Sequence, residues 1–405
     1  MDTRRRRDWW TLAWLAWLGL AVAFAVLAFF HPYSHSVYPI YTPASRRWWL
    51  GEDIYVRLVD YYRYSPLFAI LLTPFTILPD CWGGSLWKAF NIGVYALGLG
   101  TAVRHLLPAR LGPNQRAALF LLALPLSFHS MYNGQANLIM VGTILLGLSA
   151  AVRDRWNLAA LLLTLAVLVK GYPLALCLLL CVLYPRRFAL RFSVFLATGL
   201  LLPFATQPPA TVLEQYASWV RHMGDSTSLM RERQRSLDYL LERYGCPISP
   251  RLFALLGLLA GAGVLGVCLG WARRLTDTRT LLTRVYLLFA TWVVLFGPST
   301  ESCTYVIMAP AIAWALVEAW LKPTAWSGRV VLVLSLFLMG PSTTDLVGGL
   351  RHYAYVYGAQ TLGALCFLGH LLVPSQSVRG SYEEAPPDFF RADTTSGGRG
   401  SCRAA

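Results

Sequence analysis

The segment PLFAILLTPFTILP, residues 66–79, decides how this chain is threaded. It is apolar, but it runs for only 14 residues and carries three prolines, whereas a membrane-crossing helix needs about 20 apolar residues. Around it, apolar stretches recur at roughly 10–30, 83–103, 117–130, 135–152, 157–169, 172–185, 189–206, 252–272, 282–298, 305–320, 329–342 and 354–373. These make about 12 candidate spans. The composition agrees: 56% of the 405 residues are hydrophobic, 14% are charged, and the mean hydropathy is +0.49. A soluble domain is nearer one quarter charged. An all-α polytopic membrane protein is therefore expected, which excludes a cytosolic enzyme, a secreted disulfide scaffold and a nucleic-acid-binding domain.

The net charge of +15 fits membrane orientation better than an anionic polymer partner. If 66–79 does not cross, Arg4 to Arg7, Arg104, Arg110, Arg116, Arg153, Arg155, Arg186, Arg187, Arg191, Arg273, Arg274, Arg279, Arg284, Lys322 and Arg329 share the cytoplasmic side. The short outer connections then hold only Lys170 and Arg351. If it does cross, every later loop changes side and the bias inverts. The positive-inside rule thus favours an interfacial or re-entrant segment and cytoplasmic N- and C-termini, with the plasma membrane as the expected location. The first apolar run is too long for a signal-peptide core, no small-residue cleavage site follows it, and it reads as a retained helix.

This threading makes residues 1–374 a transmembrane domain with two larger extracytoplasmic loops, about 31–82 and 207–250. Residues 375–405, rich in Gly, Ser, Pro and charge, read as a disordered cytoplasmic tail. Cys177, Cys181, Cys268 and Cys366 lie in apolar stretches as small hydrophobes. No metal-ligand spacing emerges, and no metal or separate cofactor is expected. A Cys81–Cys246 disulfide stays open as a pairing of two outer cysteines.

Both outer loops carry acids, arginines and aromatics. Such groups at a membrane-water interface suit a site in which a carboxylate deprotonates a hydroxyl, a cation holds a phosphate and aromatic faces meet sugar rings. They suit a solvated aromatic belt as well. Lys170, in LAVLVKGYPLALCLLL, interrupts an apolar run just before the Gly171-Tyr172-Pro173 break. An ionisable residue there defaults to function, against the plainer reading of a lysine snorkelling to the headgroups. The polar, uncharged connection His129 to Asn137 offers Asn133, Gln135 and Asn137 to sugar hydroxyls, or is simply a turn around Asn133-Gly134. Glu301, in GPSTESCTY, is a further acid at a helix end.

The run YRYSPLFAILLTPFTILP followed by LWKAFN resembles the Y-x-P-P-hydrophobic, P-x-x-x-L-P and L-W-x-x-x-N pattern of glycosyltransferase family 87. NGQANLIMVGTILLGL, the R-x-R-W turn, LAVLVKGYPLAL and YPRR match its N-G-Q-x-N, R-x-R and K-x-x-P blocks in order. RQRSLDYLLERYG resembles its N-x-S-L-x-x-x-L-x-R block, with Arg235 where the family often has Asn. The resemblance covers roughly residues 35 to 320. It implies a GT-C-like bundle in which outer loops bind a polyprenyl-phosphate-sugar donor as co-substrate. The sugar, a hexose with mannose first, passes to a lipid or glycan acceptor with inversion at the donor. A departure affects the base. Aligning the Tyr of the family's D-x-x-x-Y block on Tyr41 puts Val37 at the Asp position.

Asp60 and Asp53 of the same loop, with His35 behind them, are therefore the expected bases. Lys170 is expected to hold the donor phosphate with Arg235 or Arg231, and Tyr64, Asn133, Gln135, Asn137 and Glu301 to contact substrate. Membrane lipids complete the expected partners. Competing readings are a transporter or flippase, for which ionisable residues belong near the midplane in both halves, and a non-catalytic family member.

Overall fold

The computed structural model describes residues 3–56, 62–109, 111–229, 233–322 and 324–372, with backbone only at 3–8, 224–229 and 345. The expected tail at 375–405 lies outside the described residues, as do Asp60 and Arg231. Every described element is helical. In order these are α1 (Thr3–Phe30), α2 (Tyr38–Leu50), α3 (Pro66–Leu71), α4 (Thr73–Thr76), α5 (Asp80–His105), α6 (Pro113–Tyr132), α7 (Asn137–Val152), α8 (Trp156–Val169) and α9 (Pro173–Leu183). They continue with α10 (Leu190–Leu201), α11 (Pro209–Leu229), α12 (Leu237–Arg243), α13 (Pro250–Arg274), α14 (Thr278–Phe296), α15 (Ala309–Leu321), α16 (Trp326–Met339), α17 (Leu350–Val356) and α18 (Ala359–Leu372). A π turn, Pro185–Ala189, leads into α10, and a 3-10 stretch, Ser302–Met308, leads into α15.

Each of the 12 apolar stretches read from the sequence contains helix in its described residues, though the helices differ in reach and 354–372 is divided between α17 and α18. Among the described residues, six are long and apolar enough to cross a membrane: Trp9–Phe30, Pro185–Ala205, Pro250–Arg274, Thr278–Phe296, Ser302–Leu321 and Trp326–Thr343. Four shorter apolar helices, α7, α8, α9 and α18, accompany them. α13 is apolar all round and leaves Leu252, Leu255, Leu258 and Leu259 exposed, as a lipid-facing helix does. α14 and α15 are packed inside. Close packing rests on small residues. A Cβ on Gly98 of α5 would come within 2.5 Å of the Gly142 carbonyl of α7, so the two backbones touch directly.

The segment 66–79 folds as α3 and α4, broken by Pro74. At 1.5 Å per residue, 66–76 rises roughly 16 Å, about half of a hydrocarbon core. That is shorter than one membrane-crossing helix. Ser65 caps α3 by accepting from Phe68 N and donates its own hydroxyl to the Leu168 carbonyl at the end of α8. The short helices are thereby pinned to one end of the bundle.

The opposite end is basic. Arg187 pairs with Asp154 at 3.0 Å, Arg191 donates to Asn157 at 2.7 Å, and Lys322 pairs with Glu318 at 2.7 Å. His105 sits there too. Burial first, and then the charges of Arg153, Arg279, Arg104 and Arg155, hold its imidazole below the usual range. Cys81 and Cys246 are both free, so the disulfide left open by the sequence does not form.

Candidate functional site

Four connections meet at the end of the bundle away from this basic cluster. The first is 31–65. Within it, Val37 is the N-cap of α2, has no side-chain cap bond, and donates its backbone N–H to the Asn133 carbonyl at 3.0 Å. The start of α2 therefore lies against the Asn133-Gly134 turn. Tyr41, fully buried, shares a 2.7 Å hydrogen bond with the Tyr64 hydroxyl and accepts from Ala136 N at 3.2 Å. Burial pushes the Tyr41 hydroxyl well above the usual range, so it is a neutral hydrogen-bonding group.

The second connection is 132–137. It is gripped by the L-W-x-x-x-N residues of α5. Trp87 Nε1 donates to the Gly134 carbonyl at 2.8 Å, and Asn91 Nδ2 donates to the Gln135 carbonyl at 2.7 Å. Asn91 Oδ1 accepts from Ile139 N at 2.8 Å. Lys88, 1% exposed, donates to the Tyr132 carbonyl at 2.7 Å and reaches the His35 carbonyl at 3.4 Å. A cation on the last carbonyls of α6 is the arrangement a helix C-terminus favours. Gly134 has φ +62 and packs its α-carbon on the Lys88 stem; a Cβ there would lie 3.2 Å from Lys88 Cγ.

The third connection holds Lys170, the C-cap of α8. Its Nζ lies 5.6 Å from the centre of the Tyr64 ring and 5.7 Å from that of Tyr172. No hydrogen bond or ion pair to Nζ is present among the described residues. Burial, first among the causes, holds this ammonium below the usual lysine range; Cys303 and Glu301 act the other way, and Arg63 adds to the lowering. A half-buried cation over two aromatic faces, with no ion pair within 4 Å among the described residues, is suited to receive an anion.

The fourth connection is 297–301. Tyr172, under Lys170, donates its hydroxyl to the carbonyls of Pro298 at 3.0 Å and Ser299 at 3.1 Å. Two residues on, Glu301 Oε1 meets Arg63 Nη1 at 3.4 Å, with side chains 26% and 17% exposed. Arg235 N donates to the Thr300 carbonyl at 2.6 Å, and the Arg235 carbonyl accepts from Tyr305 and Thr361. Its guanidinium lies over Tyr239 at 5.3 Å and Tyr355 at 5.1 Å.

The expected residues thus separate. Lys170, Tyr64 and Glu301 converge, and Arg235 is tied by its main chain to the residue before Glu301. Tyr64 is nearly buried, with its hydroxyl on Tyr41, so it faces the site through Lys170. Asn133 and Gln135 make no side-chain hydrogen bond among the described residues, whereas Asn137 is fully buried and donates to the Cys303 carbonyl at 3.0 Å. Asp53 Oδ1 accepts from Tyr55 N at 2.9 Å, an Asx-turn bond that stabilises its own loop. His35 is exposed, has φ 46, and sets its ring against Tyr132 at a 30° tilt with ring centres 4.7 Å apart.

Arg63, Tyr172 and the Trp87-Lys88-Asn91 clamp were not among the expected site residues. Arg63 had one signal, a lone cation inside the run of tyrosines before Pro66. No group of three or more His, Cys, Asp or Glu stands together as a metal site among the described residues.

No curated protein matches the chain. Among the solved structures that resemble it are two of one protein. ArnT from Cupriavidus metallidurans bound to undecaprenyl phosphate is 16% identical with a TM-score of 0.42, over 88% of this chain and 77% of that one. The same protein in the apo state is 17% identical with a TM-score of 0.39, over 89% and 78%. The profile of glycosyltransferase family 87 matches residues 62–298, more than half of the 405 residues. That stretch includes the α5 clamp, the 132–137 turn and Lys170, and the chain belongs to glycosyltransferase family 87.

Proposed function

We propose that this membrane protein transfers a hexose, mannose first, from a polyprenyl-phosphate-sugar donor to a lipid or glycan acceptor. The reaction takes place at the extracytoplasmic face of the plasma membrane, with about 12 spans and both termini cytoplasmic. The observation that carries this reading is Lys170. Its ammonium lies at the end of the bundle opposite the arginine cluster, over two tyrosine faces and with no ion pair within 4 Å among the described residues. The leaving group of such a transfer is a lipid phosphate, whose charge grows as the sugar departs, and a preorganised cation is worth most at that point. Arg235, on the adjoining main chain, is the proposed second contact, with Arg231 from the same loop. Asn133 and Gln135 are the proposed partners of sugar hydroxyls.

A second reading is a family member without activity: the sequence resemblance sets Val37 against the family's Asp, and Val37 offers the loop a backbone N–H and no side-chain cap bond. Purified protein in nanodiscs, given radiolabelled polyprenyl-phosphate mannose or glucose and a lipid extract as acceptor, separates the two. Labelled product with the wild type and a loss of donor binding in Lys170→Met support transfer. Donor binding without product supports the second reading.

A further inference from the structure

We propose that Glu301 is the general base of the transfer and that Arg63 positions it. The assignment rests on the reading of the chain as an active glycosyltransferase and names a residue that reading leaves open. With Val37 at the family position, the proton must go to some other group. The described carboxylates divide by what holds them. Glu52, Glu214 and Glu242 are exposed, Asp80 pairs with Arg46, Asp238 accepts from the Ser236 hydroxyl, Asp53 and Asp277 cap their own turns, and Asp154 and Glu318 belong to the basic end. Glu301 stands on the loop that Tyr172 ties beneath Lys170.

The loop is built to hold it. Ser299 adopts φ 56, a left-handed conformation that a non-glycine residue keeps only where its surroundings impose it. The backbone N–H of Glu301 is held as well, donating to Thr304 Oγ1 at 3.2 Å. Arg63 Nη1 touches one carboxylate oxygen at 3.4 Å and Cys303 Sγ approaches the other at 3.6 Å. Neither contact is short, and the carboxylate keeps an open side at 26% exposure. A base needs this combination of fixed direction and an accessible lone pair.

In the step, the acceptor hydroxyl gives its proton to Glu301 as its oxygen bonds to the anomeric carbon. The bond from that carbon to the phosphate oxygen breaks, and the electron pair leaves on the polyprenyl phosphate, where Lys170 meets the added charge. The anomeric centre inverts, and the protonated Glu301 returns its proton to water.

The test compares transfer and donor binding in nanodiscs for wild type, Glu301→Gln, Glu301→Asp, Arg63→Met and Arg63→Lys, with polyprenyl-phosphate mannose or glucose as probe. Glu301→Gln is expected to bind donor as the wild type does and to lose about 100-fold to 10,000-fold in kcat. Glu301→Asp recovers part of it. Arg63→Met loses kcat with little change in KM, and Arg63→Lys restores most of the loss, which a residue needed only for folding would not show. If Glu301→Gln alone misfolds, the double variant Arg63→Met/Glu301→Gln, which removes both charges together, is compared with Arg63→Met and is expected to lose a further large factor in kcat. An active wild type with kcat largely retained in the folded Glu301 variant overturns the assignment and leaves the proposed function standing. A folded, donor-binding wild type that transfers nothing overturns both.

Discussion

Replacing Lys170 by methionine keeps an unbranched apolar stem one atom shorter and removes the charge, so binding and stability are predicted to move in opposite directions. A charge-assisted bond to a phosphate contributes about 1.5 to 3 kcal/mol, or about 10-fold to 150-fold in Kd. Donor affinity should weaken by that factor. Stability follows a different balance. The wild-type ammonium has no hydrogen-bond or ion-pair partner among the described residues and is compensated by two ring faces, at 5.6 and 5.7 Å. Such contacts contribute about 0.5 to 2 kcal/mol each, and a methionine sulfur against the same rings recovers much of it. Burying the charge is costly, so the empty protein should be as stable as wild type or more so. The pH dependence has a definite sign. The folded lysine is held below its ordinary 10.5, so between the lowered value and 10.5 the unfolded chain binds a proton that the folded chain lacks. Stability rises with pH through that window, while donor affinity falls as the ammonium is lost. Radiolabelled-donor binding and thermal unfolding, both in nanodiscs, measure the two quantities. A Lys170→Met protein that unfolds many degrees lower and binds donor unchanged would refute the reasoning and make Lys170 a structural residue.

Gly134→Ala should destabilise by about 1 to 2 kcal/mol for its left-handed φ alone, and lose transfer because the new Cβ, 3.2 Å from Lys88 Cγ, pushes the α5 clamp off the turn; calorimetry and the transfer assay check it together. Asp53→Asn keeps the oxygen that accepts from Tyr55 N, so stability should change by less than about 0.5 kcal/mol and transfer should persist, whereas a complete loss of transfer in the folded protein would make Asp53 the base. In a chain whose exposed Cys246 is replaced by alanine, a cysteine at Arg351 should react with an impermeant maleimide on intact cells and one at Arg155 should not, and the reverse pattern would defeat the threading.

The helices were legible because their signal is local. Apolar runs between Pro, Gly and Arg punctuation mark twelve stretches, and each contains helix in its described residues. The length of 66–79, readable from 14 residues and three prolines, already argued against a crossing, and its break into α3 and α4 gives the physical reason. Reach is less legible. α8 and α9 have 14 and 11 residues, or roughly 21 and 17 Å, so an apolar run read as one full span corresponds to a shorter regular helix ended by Lys170-Gly171-Tyr172 or by the π turn at Pro185.

The site was legible where one residue type breaks a local pattern, and it was not where meaning arises from pairing. Lys170 stands out in an apolar run, and that anomaly needs no partner to be seen. Glu301 and Arg63 are separated by 238 positions, and each alone looks like a solvated charge near a helix end. Their meeting follows from two separate anchors: Ser65 on the end of α8, which brings the Arg63 segment to Lys170, and Tyr172 on the 298–299 carbonyls, which brings Glu301 there. The L-W-x-x-x-N block has the same character. As a string it offers an indole, an ammonium and an amide to a ligand, but in the fold all three are engaged with the backbone of the 132–137 turn. A motif whose polar atoms are used up in this way positions a site without touching the substrate. Variants of Trp87 or Asn91 should therefore lower transfer and stability together, while variants of Glu301 should separate them.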